Sequence, residues 1–125
     1  MSKLGKGSVF VVGAIAALTV AVTGAFGGPA AQTLTTNVAV TAGKPSEFKF
    51  TLSKKTVKKG IVVFKVVNKG MIAHDFKIAG KKTKSLAKGK TQTLRITFKK
   101  AGKYAYLCTL PGHAPAGMKG VFVVK

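Results

Sequence analysis

Acidic side chains are nearly absent from this chain. Glu47 and Asp75 are the only carboxylate side chains among 125 residues, against 22 lysines and arginines. Cysteine is scarcer still: Cys108 stands alone, so no disulfide can form within the chain. Histidine occurs only at His74 and His113, and arginine only at Arg95. Each shortage excludes something. With one arginine and no recognised nucleic-acid motif, nucleic acid is not an expected partner. A thiol enzyme using Cys108 and a histidine base needs a third, orienting group, and two acids leave little to supply it. Zinc catalysis meets the same shortage, although a Cys-His-His set could trap zinc adventitiously.

The one long apolar run lies at the N-terminus. Lys3 and Lys6 precede an apolar stretch from Val9 to about Val22, and small residues follow from Thr23 to Ala31. This is the layout of a signal peptide. Extended to Phe26, the stretch approaches the roughly 20 residues of a membrane span, so an uncleaved N-terminal anchor is the alternative. Residues 1–31 are therefore expected to be a leader or anchor, and 32–125 a single domain outside the cytoplasm. A free thiol is a liability in an oxidising compartment, whereas a metal-bound thiolate is not.

From Gln32 onward the chain carries 20 basic residues against two acids, about +18. Such a field favours acidic proteins or an anionic membrane surface and acts mainly on the rate of encounter. Plain solubility is the simpler account of the same lysines.

Short alternating runs broken by Gly, Pro, Asn and Lys predict an all-β fold, a sandwich or barrel. Val38 and Val40 share one parity, as do Phe48, Phe50 and Leu52, and Leu94, Ile96 and Phe98. The nearly continuous apolar run Ile61 to Val67 predicts a central strand covered on both faces. His74, Phe76 and Ile78 fall on one parity, with Asp75 and Lys77 on the other. Residues 79–90 read as a polar loop. Tyr104, Tyr106 and Cys108 share a face, and so do Met118, Gly120, Phe122 and Val124. The tyrosines are expected to be core rings with partnered hydroxyls.

Thiolate, imidazole and thioether are soft or borderline donors that suit copper. Cys108, His113 and Met118 lie within one short segment, with His74 34 positions before the cysteine. Two His, one Cys and one Met make the donor inventory of a blue-copper electron-transfer centre. Inward polar groups at strand ends cost stability unless satisfied, and a shared metal satisfies them. Pro111 and Pro115 restrict the intervening loop, while Gly112 and Gly117 permit its tight curvature.

The segment from Gly102 through Tyr104, Tyr106, Cys108, His113 and Met118 to Gly120, with Asn68, Gly70, His74 and Phe76 upstream, resembles the cupredoxins. The Cys-x4-His-x4-Met spacing is similar to that of the rusticyanin and auracyanin branch. The resemblance covers roughly residues 33–125. It implies a Greek-key β-sandwich, one copper ion, and His74, Cys108, His113 and Met118 as its ligands. It also implies a monomeric electron carrier, no enzyme, with the exposed edge of His113 as its electron port. Asp75 departs from the family pattern, which has Asn or Ser after the first ligand histidine. Its carboxylate can still accept from loop N–H groups, its backbone N–H can still point at the Cys108 sulfur, and its charge would lower the reduction potential; pairing with a nearby lysine is the alternative.

Two other functions stay open on these residues. One is an extracytoplasmic copper carrier or store, though such proteins expose their ligands and are often rich in methionine. The other is a basic adhesion domain for anionic surfaces, which would not need Cys108.

Overall fold

Nine strands and no helix occupy the described part of the structure, a computed structural model that describes residues 33–125. The leader or anchor expected at 1–31 lies outside those residues. In chain order the strands are β1 (Thr35–Ala42), β2 (Phe50–Leu52), β3 (Thr56–Val57), β4 (Gly60–Asn68), β5 (Lys77–Ile78), β6 (Lys81–Lys82), β7 (Thr91–Phe98), β8 (Gly102–Leu107) and β9 (Lys119–Val124). They form two sheets, ordered β2-β1-β4-β7 and β3-β9-β8-β5-β6. Two of the pairings are parallel, β1 with β4 and β3 with β9, so both sheets are mixed. The expected β-sandwich is present.

The alternation read from the sequence places the core. Val38, Val40, Leu52, Leu94, Ile96, Phe98, Phe122 and Val124 are all buried. Aromatic rings join the two layers. Phe64 on β4 meets Phe122 on β9 with ring centroids 5.2 Å apart, and Phe98 meets Tyr104 at 4.8 Å. Phe50 packs edge-on to both Phe76 and Tyr106. Edge-to-face rings at such separations add about 0.5–1.5 kcal/mol per pair beyond the area they bury. The Tyr104 hydroxyl donates to the Lys100 carbonyl at 2.8 Å. Tyr106 lies across Gly120, where a Cβ would collide with the phenol ring.

Three expectations are corrected. The central strand is not covered on both faces: Val62, Phe64 and Val66 are buried, while Ile61, Val63 and Val67 are only half-buried and Lys65 is exposed. In a nearly continuous apolar run the only parity signal is Lys65, which shares its face with Ile61, Val63 and Val67. Asp75 is buried rather than outward, because the chain at 74–76 leaves regular strand geometry. His74 makes only a single antiparallel bridge, to Leu86, before pairing resumes at Lys77. Finally, residues 79–90 are not simply a polar loop. Ala79 and Gly80, both at positive φ, turn β5 back onto β6, and Thr83 and Leu86 are buried.

Candidate metal centre

The parallel pairing of β1 with β4 ends at Ala42 opposite Asn68. The turns that follow, residues 43–49 and 69–73, therefore emerge side by side at one end of the sandwich. β8 ends at that same end at Leu107, opposite Lys119 where its antiparallel partner β9 starts, and Cys108 follows directly. The loop between β8 and β9 bends back over it.

Backbone hydrogen bonds fix this loop closely. The Cys108 N–H donates to the Met118 carbonyl at 3.1 Å, and the Met118 N–H donates to the His113 carbonyl at 3.1 Å. The His113 N–H donates to the Leu110 carbonyl, and the Gly117 N–H to that of Ala114. Gly112 and Gly117 sit at φ of 82° and 117°, as the tight curvature required. Cys108 and Met118 are buried together with Ala42, flanked by Phe48, Phe50 and Leu110.

His74 sits on the connection between β4 and β5. Asn68, fully buried, holds its loop by donating to the carbonyls of Ile72 (2.8 Å) and Leu86 (2.7 Å) and accepting from the Gly70 N–H. The His74 backbone exchanges two hydrogen bonds with Leu86. As a result the Nδ1 atoms of His74 and His113 approach to 3.2 Å, and His113 Nδ1 lies 3.4 Å from the Cys108 sulfur. One donor atom from each of His74, Cys108 and His113 lies within 4.8 Å of the others. Donors so spaced are within reach of a single ion with metal–ligand bonds of about 2.0–2.3 Å. Three of the four residues singled out in the sequence thus converge, and Met118 is buried beside Cys108.

Asp75 braces the cysteine. Its backbone N–H points at the Cys108 sulfur at 3.5 Å. Its carboxylate accepts from the Thr109 N–H at 2.6 Å and from the Thr109 hydroxyl. No lysine pairs with it among the described residues. Asp75 thus ties the two loops together.

Burial pushes the Cys108 thiol above its ordinary pKa, outweighing the N–H groups of Asp75 and Leu110 that act the other way. Burial, and then the neighbouring His74, push His113 below the usual imidazole value. At neutral pH the ring therefore offers a lone pair and the sulfur keeps its proton.

Two residues of this end were not singled out for the site in the sequence. Phe48, expected in the core, lies in a turn and packs edge-on against His113 and His74, at 5.0 and 6.4 Å. Glu47 meets His74 Nε2 at 2.6 Å. The Met71 N–H and then His74 hold its carboxyl below the ordinary range. Its rarity was the only available hint, since 27 positions separate it from His74.

A two-sheet sandwich with a buried thiol and two imidazoles converging at one end defines a small metal-binding β-protein. A family model for the cupredoxin-like domain matches residues 14–124, and the chain belongs to that family. Solved structures agree. Auracyanin A of Chloroflexus aurantiacus, described as a "blue" copper protein, is similar at a TM-score of 0.63 and 21% identity, over 73% of this chain and 99% of that one. Rusticyanin of Thiobacillus ferrooxidans is similar at 0.63 and 23%, over 73% and 77%. Auracyanin of Roseiflexus castenholzii is similar at 0.57 and 23%, over 77% and 99%. No curated protein matches by sequence.

Proposed function

We propose that this protein holds one copper ion between His74, Cys108, His113 and Met118 and carries single electrons between partner proteins outside the cytoplasm, residues 1–31 serving as leader or anchor. The convergence of one thiol and two imidazoles, braced by Asp75 and Thr109, is the observation that carries the reading. A bound copper ion supplies a one-electron Cu(I)/Cu(II) couple.

The chain's own part is to keep the donors still. Cys108 and Met118 are locked by backbone bonds across the base of one loop, and His74 by bonds to Leu86. Donors that cannot move leave little rearrangement between oxidation states, and little rearrangement means a low barrier. Burial of His74, Cys108 and Met118 also excludes competing ligands. That burial favours retention over a copper carrier, which must exchange its metal. It disfavours a thiol enzyme too. Glu47, His74 and Cys108 do supply an acid, a base and a sulfur, but the sulfur is 1% exposed and its proton is held tightly.

Adding Cu(II) to the purified protein tests the reading, with an intense blue colour expected. Slow loss of copper to a chelator together with fast electron exchange separates an electron carrier from a store. Loading also carries a pH dependence. The thiol is protonated at neutral pH, whereas His113 is already neutral, so each ion should displace about one proton near pH 7. Apparent affinity then rises with pH until the raised thiol pKa is passed. A weakly buffered titration with a pH indicator measures this, and no release would contradict a thiolate ligand.

Asp75 sets a second expectation. Replacing its carboxylate in Asp75→Asn retains an oxygen for the Thr109 N–H but removes a negative charge beside the cysteine. The reduction potential should rise by about 60 mV or more, which is a tenfold shift of a one-electron couple. An unchanged or lower potential would contradict an electrostatic role.

Partners follow from the surface. The half-buried edge of His113 lies in a loop whose Pro115 and Ala116 are exposed, while Met71 and Ile72, near His74, are 72% and 46% exposed. Every lysine from Lys44 to Lys125 is exposed, and neither acid pairs with any of them among the described residues. An apolar contact within an uncompensated basic field suits brief docking of an acidic protein. Its association should slow steeply with salt, since exposed charges are screened over about 8 Å at physiological ionic strength. Stopped-flow rates that stay flat from low to high salt would remove electrostatic steering.

A further inference from the structure

Glu47 is one of only two acids in the chain, and it is the one whose side chain reaches a histidine ring. We propose that Glu47 is the positioning residue of the metal centre: it fixes which nitrogen of His74 faces the metal and latches the exposed Met71–Ile72 loop to that same ring. The metal in question rests on the function proposed above.

The chemistry of the contact sets the direction of the hydrogen bond. An ionised carboxylate only accepts, so at 2.6 Å from Glu47 Oε2 the His74 Nε2 must carry a hydrogen. In a neutral imidazole that leaves the lone pair on Nδ1, the atom that faces His113 Nδ1. The ring is fully buried, with no water to compete for its N–H. A carboxylate behind a ligating histidine both orients the ring and raises its basicity.

The same carboxylate holds the neighbouring backbone. Glu47 Oε1 accepts from the Met71 N–H at 2.8 Å, and Oε2 accepts from the N–H groups of Met71 and Ile72 at 3.1 and 3.3 Å. One side chain thus connects the ligand ring to the loop bearing Met71, the most exposed large hydrophobic residue of the described chain. Glu47 also ties its own turn into this contact.

Two glycines make room for the contact. A Cβ at Gly70 would collide with Glu47 Oε2 and come within 2.8 Å of His74 Nε2. A Cβ at Gly43 would collide with the Gly70 backbone, so both must lack side chains for the turn carrying Glu47 to close on the loop carrying His74. Gly43 also sits at φ 84°, and its N–H closes that turn on the Lys49 carbonyl at 2.9 Å. The niche is built for the carboxylate.

Nitrogen NMR and amide hydrogen exchange on the metal-free protein test the proposal, whether or not the protein takes copper. The parent should show only the Nε2–H form of His74 and slow exchange at Met71 and Ile72. In Glu47→Ala both forms should appear, and exchange at those two amides should quicken at least tenfold. The loaded variant should bind copper about 10–100-fold more weakly, the usual cost of losing an outer partner. Glu47→Gln is the second variant if the alanine form does not fold. Its one oxygen cannot serve the ring and both amides as two oxygens do, so either the ring form or the exchange should change. Parent-like ring form and exchange in Glu47→Ala, or in Glu47→Gln where the alanine form fails to fold, would overturn the proposal. A parent that binds no copper would overturn the proposed function and leave this test standing.

Discussion

Cupric ion added to Cys108→Ser should give no blue colour. A serine hydroxyl fits the same volume but is a hard donor that keeps its proton at neutral pH, so the copper–thiolate bond cannot form. Affinity should fall by more than the roughly 10–100-fold that loss of an outer partner costs. The fold should survive. The sulfur makes only long contacts, 3.5 Å from the Asp75 N–H and 3.4 Å from His113 Nδ1, and a hydroxyl can take its place in both. Leaving the hydroxyl poorly satisfied costs about 1–3 kcal/mol, less than the stability of an ordinary domain. Absorption and circular dichroism on the same sample separate the two effects. A variant that folds and still turns blue would remove Cys108 from the centre.

The second large effect belongs to the core. Phe64 is fully buried and lies between Phe76, Phe98 and Phe122, at 5.4, 6.4 and 5.2 Å. Phe64→Ala deletes the ring that meets both sheets, and the strands around it cannot close the gap without breaking their pairing. Such truncations cost about 3–5 kcal/mol against a total of about 5–15. The metal-free variant should therefore stand near its unfolding transition at 25 °C. Bound copper should restore part of the loss, because a ligand of the folded state alone stabilises it by mass action. Urea titration with and without copper measures both. A loss under about 1 kcal/mol with an unchanged denaturant slope would mean the two sheets do not depend on this ring.

The residues that were legible in the sequence are those whose placement follows from local periodicity or from scarcity. Alternation put Val38, Val40, Leu94, Ile96 and Phe98 inward, because a strand sends successive side chains to opposite faces whatever its partners are. The run at 61–67 is broken only at Lys65, one polar residue on the face that proved only half-covered. Asp75 was misplaced for a related reason: parity holds only while the chain stays extended, and around His74 it makes just one bridge.

At the metal end, a lone cysteine and only two histidines left few combinations, and Cys108, His113 and Met118 share one short loop whose prolines and glycines are local signals. The sequence by itself determined the donor types and the strands beside which most of them lie. Only the tertiary structure decided what stands behind those donors. Glu47 and Phe48 reach the histidines because β1 and β4 pair in parallel and finish together at Ala42 and Asn68, which delivers two distant turns to one end of the sandwich. A register between strands is set by the packing of the whole layer, so the contact between Glu47 and His74 exists only once that layer has formed.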